Sequence, residues 1–272
     1  EHNLSVNGGG KDVTYYASFN YLGQDGFLKI GDDGLKRYNY NGKINANILP
    51  WMKLNASARW THTNNWRPTS LTDGVYNYLG RGNWPNIPIH DANGYLRGEQ
   101  LPALRDGGQH KTTTDEMYYQ AGLTIEPIKN WITRAELNYS LTNINLREVS
   151  INVAKEHDTA GNPILSDPTS SLKQAQTKDK YLNFNAYTEY SKSFNDSHNF
   201  KIMGGYQMEQ MDESYWSTKK YGLIDSNKPV FDLTNGLNGK GETQTPDISG
   251  YDQTWKTVGF FSRLNYDYKG RY

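Results

Sequence analysis

The chain contains no cysteine, has no excess of charge of either sign and shows no long apolar run. The absence of cysteine excludes disulfide bonds, thiolate metal sites and cysteine catalysis. With 29 basic and 29 acidic side chains in 272 residues, no net charge draws the chain toward nucleic acid, and no nucleic-acid partner is expected. Without an apolar run of about 20 residues, the sequence offers no membrane-spanning helix. A membrane protein built from strands is still open, because a barrel strand exposes only every second residue to lipid.

Aromatic residues are abundant in a chain that is only 35% hydrophobic, with 21 Tyr, 7 Trp and 8 Phe. Tyrosine and tryptophan combine an apolar ring with a polar group that needs water or a partner. Their excess over aliphatic residues favours interfacial girdles and sugar-stacking surfaces over one compact core.

The clearest pattern is a strict alternation from Lys36 to Thr63. Before Pro50 the apolar or small side chains are Tyr38, Tyr40, Gly42, Ile44, Ala46 and Ile48, and after it they are Met52, Leu54, Ala56, Ala58 and Trp60. The positions between them are almost all Asn, Lys, Arg and Ser. A period of two predicts an antiparallel hairpin with one apolar and one polar face. An almost wholly polar face opposite a face of small aliphatic and aromatic side chains is typical of a sheet between lipid and an aqueous lumen.

The same alternation returns along the chain and predicts about nine strands. The expected connections are short at Gly9–Asp12, Pro50, Lys129–Asn130, Asn195–Ser197 and Lys269–Gly270, and long at 22–35, 64–115, Ala154–Lys178 and Trp216–Gln253. A short helix is expected within Ser70–Leu79, with Ser70 or Thr72 as its cap. Short turns and long loops alternate regularly along the chain. This pattern predicts an all-β fold, namely an antiparallel up-and-down transmembrane β-barrel segment with long extracellular loops.

The start of the chain passes directly into a strand pattern, so no secretory leader is expected within it. Bacterial single-chain barrels close on an even number of strands, because an unpaired edge in hydrocarbon is costly. The chain is therefore expected to be part of something larger.

No catalytic set is expected, since neighbouring carboxylates on a strand point to opposite faces and no nucleophile motif occurs. No metal site and no cofactor are expected either. His90–Gly94 resembles the start of a calcium loop but lacks its later acidic ligand, so a tight turn is predicted there. Substrate binding is assigned to loop aromatics, on which a sugar ring can stack, and to their polar neighbours. These candidates are Trp66, Arg67, Tyr76, Trp84, Asp91, Tyr95 and Trp216, with Arg81, Asn83 and Arg97 as further hydrogen-bonding groups. Trp51, Trp131 and Trp60 are assigned to an interfacial girdle.

Five segments of the sequence resemble the SusC/RagA-type TonB-dependent transporters of Bacteroidota outer membranes. They are Val13–Leu22, Gln24–Gly26, Lys36–Asn39, Trp51–Asn55 and Gly259–Tyr272, in the order of that family's mid-barrel strands. The resemblance implies a barrel of about 22 strands, a plug, contact with the TonB complex and a SusD-like lipoprotein over the extracellular mouth. It also implies import of oligosaccharides or peptides across the cell outer membrane. Residues 1–272 would form part of one barrel domain, with the plug and the N-terminal extension not present in this chain.

Two other functions are open at this point. A soluble or surface-attached β-rich protein that binds polysaccharide would pack Ile44, Ala46, Ile48, Leu54 and Ala56 against a second sheet. A passive porin would need no plug. An enzyme is not expected, because the catalytic set is missing.

Overall fold

The computed structural model describes residues 1–82, 84, 86–98, 100–165, 169–195 and 197–270. Its elements, in chain order, are β1 His2–Gly9, β2 Val13–Asp25, β3 Gly34–Leu49, β4 Met52–Pro68, α1 Asp73–Asn77, a π-helical turn Tyr78–Gly82, α2 Gln100–Asp106, β5 Gln109–Ile128, β6 Trp131–Ser150, β7 Ala154–His157, β8 Pro163–Leu165, β9 Ser171–Phe194, β10 His198–Tyr221, a 3₁₀ turn Phe231–Leu233 and β11 Asp247–Tyr268.

The described residues form one nine-stranded sheet in the order β1-β2-β3-β4-β5-β6-β9-β10-β11. Each strand pairs antiparallel with the strand before it in the sheet, while β7 and β8 form a separate two-stranded hairpin in the loop between β6 and β9. This architecture confirms the predicted all-β, antiparallel up-and-down fold.

The register places the apolar positions of all nine strands on the same face. Ile44 pairs with Ala56, and the row continues through Ala121, Leu137, Phe184, Met208 and Val258. Residues one position away form the opposite, polar face, because successive side chains of a strand point to opposite sides. We call these two surfaces the apolar face and the polar face.

The apolar face is uncovered in the described part of the chain. Phe260 and Leu264 on β11 are 82% and 67% exposed, and Ile44 and Ile48 on β3 are also exposed. The only other sheet of the described residues is the β7–β8 hairpin, which contacts α2 and the loop between β4 and β5. The second sheet that a soluble sandwich requires is therefore missing from these residues.

Buried hydrophobic side chains cluster at the loop end of the sheet. They are Val75, Leu96, Leu104, Val149, Leu172 and Ala175. None of the described helices is long and apolar enough to cross a membrane.

Three of the predicted loops are too long, because the strands continue beyond the alternating segments. The strand β4 runs to Pro68 and β5 begins at Gln109, β9 begins at Ser171, and the last long loop occupies only 222–246. In these extensions both faces of the sheet carry polar side chains. Lys178 and Asp212, for example, lie at positions that continue the apolar face. A strand that meets water on both faces has no reason to alternate.

The other predicted connections are closer to the structure. Turns join β3 to β4 and β5 to β6, and Asn130 takes a positive φ of 70° in the second of them. The predicted turn Asn195–Ser197 includes Asp196, which lies outside the described residues, as do Arg271 and Tyr272. The predicted helix is present as α1 and the π-helical turn, with Thr72 at the N-cap position but without a side-chain cap bond. The helix α2 was not predicted.

Candidate functional site: the polar face and the loop rim

All four long connections leave the same end of the sheet, which we call the loop rim, and the short turns lie at the opposite turn rim. Hydrogen bonds attach the longest loop to the strand ends. The Thr69 hydroxyl donates to the carbonyl of Val149 at 2.6 Å, and the Thr69 N–H donates to the carbonyl of Gly108 at 3.1 Å. The loop rim is thus an organised surface whose backbone is fixed by strand residues.

Asp91 is the centre of a polar cluster that joins two loops. Its carboxylate accepts the backbone N–H groups of Asn93 and Tyr95 at 2.9 and 3.0 Å, and that of His157 at 3.1 Å. The His157 ring also contacts it, with Nδ1 and Oδ2 3.1 Å apart, and stacks on Tyr95 with ring centroids 4.0 Å apart. The predicted tight turn is confirmed, since Gly94 donates to the Asp91 carbonyl at 3.1 Å.

This environment sets the ionisation of Asp91. Desolvation alone would raise its pKa, but the hydrogen bonds from Tyr95, Asn93 and His157 outweigh it, and the pKa lies below the ordinary aspartate value. Asp91 and Tyr95, both substrate-binding candidates from the sequence, therefore lie close together, in contacts that connect the loop 69–108 to the loop 151–170. Their contact with substrate stays a prediction.

The remaining predicted loop residues are more separate. The Arg67 guanidinium holds the carbonyl of Leu71 at the start of the long loop. Tyr76 on α1 and Trp84 after the π-helical turn are 59% and 68% exposed. Asn83 lies outside the described residues.

Trp66 and Trp216 do not lie in loops, and that part of the prediction is wrong. Both belong to strand extensions, and both lie at strand positions whose side chains are on the side of the apolar face. The indole N–H of Trp66 donates to Asp32 at 3.0 Å, and that of Trp216 donates to Gln176 at 3.2 Å. Because their rings stand on the opposite side from the polar face, we do not include them in the polar-face site.

The three girdle candidates mark the two limits of the apolar band. Trp51 and Trp131 lie at the turn rim, where the Trp131 indole donates to Thr188 at 2.8 Å. Trp60 lies where apolar side chains give way to polar ones, and its indole donates to Asp115 at 3.0 Å. Asp115 also contacts the His62 ring at 2.7 Å, one alternate position further along β4. This placement is typical of interfacial tryptophans, and the girdle assignment stays a prediction.

Sequence analysis missed a group of aromatic and acidic side chains on the polar face of β9–β11. The Tyr251 hydroxyl donates to Glu213, and the rings of Tyr251 and Tyr215 lie 5.6 Å apart. Trp255 shares this face, since it lies an odd number of positions from the apolar Val258. The available signal was an aromatic residue at a polar position of an alternating strand.

Hydrogen bonding and stacking are the chemistry that these residues offer. Within the described residues no group of three potential metal-ligating side chains is close enough to hold a metal ion. The polar face instead presents amides, hydroxyls, charged groups and a few aromatic rings, which suits a hydrated polar solute.

Comparison with known proteins gives consistent results. No protein-family model matches the chain. The chain is 21% identical to TonB-dependent receptor P26 and 22% identical to TonB-dependent receptor P39, both of Formosa agariphila, over 99% of its own length in each case. It spans 26% and 25% of those relatives, about a quarter of their length.

Solved structures show the same fold. The chain superposes on the RagAB peptide importer in its closed-closed state with a TM-score of 0.73 and in its open-open state with 0.74. Identity is 18% in both, and the match covers 98% of this chain and 30% and 29% of the solved chains. The chain therefore resembles TonB-dependent receptors along nearly its whole length and has the fold of part of the RagAB barrel, which confirms the predicted SusC/RagA-type resemblance.

Proposed function

We propose that this chain forms part of the wall and the extracellular loops of a TonB-dependent nutrient importer in the cell outer membrane. The observation that supports this most directly is the uncovered apolar face, which continues in register across nine strands. On β4 the band extends from Met52 to Trp60, about 26 Å along the strand at roughly 3.3 Å per residue. At a barrel tilt of roughly 40° this is about 20 Å of depth, comparable to the apolar band of roughly 25 Å of outer-membrane barrels.

In this proposal the polar face lines an aqueous lumen and the loop rim faces the cell exterior. Oligosaccharides or peptides pass through the lumen, and energy reaches the barrel from the TonB complex through parts of the protein outside residues 1–272. A SusD-like lipoprotein covers the loop rim, where Tyr76 and Trp84 present exposed rings. The kinship with TonB-dependent receptors and the RagAB fold supports these assignments.

Paired cysteine variants test the orientation, because the chain has no cysteine of its own. In outer membranes containing the complete polypeptide, Ile44→Cys and Val258→Cys should react with a lipid-soluble maleimide but not with a membrane-impermeant one. The polar-face neighbours Asn45→Cys and Thr257→Cys should show the reverse preference. Equal reaction of all four variants with the impermeant reagent would contradict the proposal and favour a soluble or surface-attached polysaccharide-binding protein.

Energy dependence separates an importer from a passive porin. Dissipating the inner-membrane proton gradient should stop substrate uptake by a TonB-dependent importer. Uptake that continues unchanged would identify a porin, while leaving the membrane orientation intact.

A further inference from the structure

One hairpin of the polar face carries several cations without a matching negative charge. The hairpin β3–β4 carries Arg37, Lys43, Lys53 and Arg59 on this face, and we call these four residues the cationic ladder. All four side chains are exposed. None of them forms an ion pair with a carboxylate among the described residues, although Arg59 lies over the ring of Tyr118 at 5.5 Å.

The strands around the ladder do not supply the missing negative charge. Across β1–β4 the only acidic residue is Asp25, which pairs with Gly34 at the loop end and has the parity of the apolar face. The next strand, β5, places Glu116 on the polar face, opposite Thr61, without an ion pair to Arg59. Acidic side chains of the polar face lie farther along the sheet, at Glu136 on β6, Asp179 and Glu189 on β9, and Glu209 and Glu213 on β10.

The ladder extends through the depth of the wall. Arg37 pairs with Thr63 near the loop rim, and Lys53 pairs with Asn47 near the turn rim. The ten residue steps from Arg37 to Asn47 span about 33 Å along the strand. At a barrel tilt of roughly 40° this is about 25 Å of depth, the height of the apolar band.

Between the cations, the surface of this hairpin has only amide and hydroxyl groups. Asn41 donates to the Ser18 hydroxyl at 3.1 Å, and the Thr61 hydroxyl donates to Asn39 at 3.0 Å, so these groups are held in place across strands. On the polar face from Arg37 to Lys53 and on to Thr63, no side chain is apolar. Such a surface matches a hydroxyl-rich ligand and offers no pocket for apolar peptide side chains.

From this arrangement we propose that the cationic ladder is a track for acidic oligosaccharides, whose carboxylate or sulfate groups pair with successive cations. The inference rests on the proposed function and adds a substrate class to it. Unpaired charges on a low-dielectric wall concentrate ions of opposite sign along it. The four cations lie at successive depths of the wall, so a solute that crosses it meets a cation at each level.

The test compares ligands on the complete polypeptide, purified in detergent. Isothermal titration uses oligogalacturonate hexamer as the acidic probe and maltohexaose as the neutral one. The double variant Lys43→Gln/Arg59→Gln should bind oligogalacturonate about tenfold more weakly and leave maltohexaose binding unchanged. The dependence of log affinity on log salt should become less steep, because two ion pairs that salt screens have been removed. A matched control, Lys36→Gln/Lys180→Gln, removes the same charge from the opposite side of the sheet and should behave as the unsubstituted protein.

Several outcomes would overturn the inference. An equal loss in the control would show a general charge effect, and binding of hexaglutamate as tight and as ladder-dependent as that of oligogalacturonate would identify a track for acidic peptides. A lower unfolding temperature of the ladder variant with unchanged affinity would identify an acidic segment of the same polypeptide as the occupant. The cysteine variants could show the expected maleimide labelling while the protein binds oligogalacturonate no more tightly than maltohexaose. In that case only the inference about the cationic ladder fails, and the proposed function stands.

Discussion

Arginine placed at two depths of one strand tests whether the apolar face meets hydrocarbon. Leu137 on β6 lies in the middle row of the apolar face, and Leu141 lies four residues nearer the loop rim, opposite Lys180. Four residues correspond to about 13 Å along the strand and to about 10 Å of depth at a tilt of roughly 40°. The two substitutions exchange the same side chains, so they differ mainly in depth.

The expected costs follow from this depth difference. Arginine near the midplane of a transmembrane barrel costs about 2–4 kcal/mol, and near the interface about 0–1 kcal/mol. Leu137→Arg should therefore lower the free energy of unfolding by roughly 2–3 kcal/mol more than Leu141→Arg, which is about a 30- to 160-fold change in the folding equilibrium. Urea unfolding of the complete polypeptide in lipid vesicles, followed by tryptophan fluorescence, measures the difference.

The result that would refute the reasoning is a pair of equal costs. Equal costs in lipid would mean that both positions meet the same environment, and the apolar face would then not follow the membrane depth. Repeating the measurement in detergent micelles with a short hydrocarbon chain provides a control, because a thinner apolar layer should reduce the difference.

Three other predictions concern the rims. Because the pKa of Asp91 is lowered in the folded protein, its stabilisation is complete above the ordinary aspartate pKa and is lost as the pH falls through the lowered value. Limited proteolysis of the loop 69–108 should therefore accelerate on acidification, and Asp91→Asn should be cleaved at a rate with little dependence on pH in that range. Trp131→Phe should cost about 1 kcal/mol in urea unfolding, since it keeps a ring but loses the bond to Thr188. Gly108→Ala should cost about 1–3 kcal/mol, because φ is +95° and a Cβ would lie 2.1 Å from the Val149 carbonyl oxygen, whereas Gly204→Ala, with open space around its Cβ, should cost less.

The value of alternation as a predictor depends on what lies on each side of a strand. Ile44 and Lys43 were assigned to opposite faces from the sequence, and the register with Ala56 and Ser57 confirms this. Trp216 was assigned to a loop, but it lies in β10 between Ser214 and Thr218, which are polar and share its face. Beyond the apolar band that face is wet, so a strand persists there with no sequence periodicity to reveal it.

The loop rim shows a second limit of sequence reasoning. Asp91 and His157 are 66 positions apart in the chain, yet they meet at 3.1 Å. Neither is part of a periodic pattern, and a turn signal at Asn93-Gly94 gives only local geometry. Their contact depends on the antiparallel order of β4, β5 and β6, which brings two separate loops to one end of the sheet.

The sequence by itself determined the fold class, the two faces and the short turns, because each depends on residues a few positions apart under a local geometric rule. Tertiary structure alone decided the strand lengths, the loop contacts and the separation of charge on the polar face. Lys43 and Arg59 share a hairpin that the sequence predicts, whereas their separation from Glu213 depends on the pairing of strands far apart in sequence. Register is a property of the assembled sheet, so the cationic ladder exists as a surface only once the strands have paired.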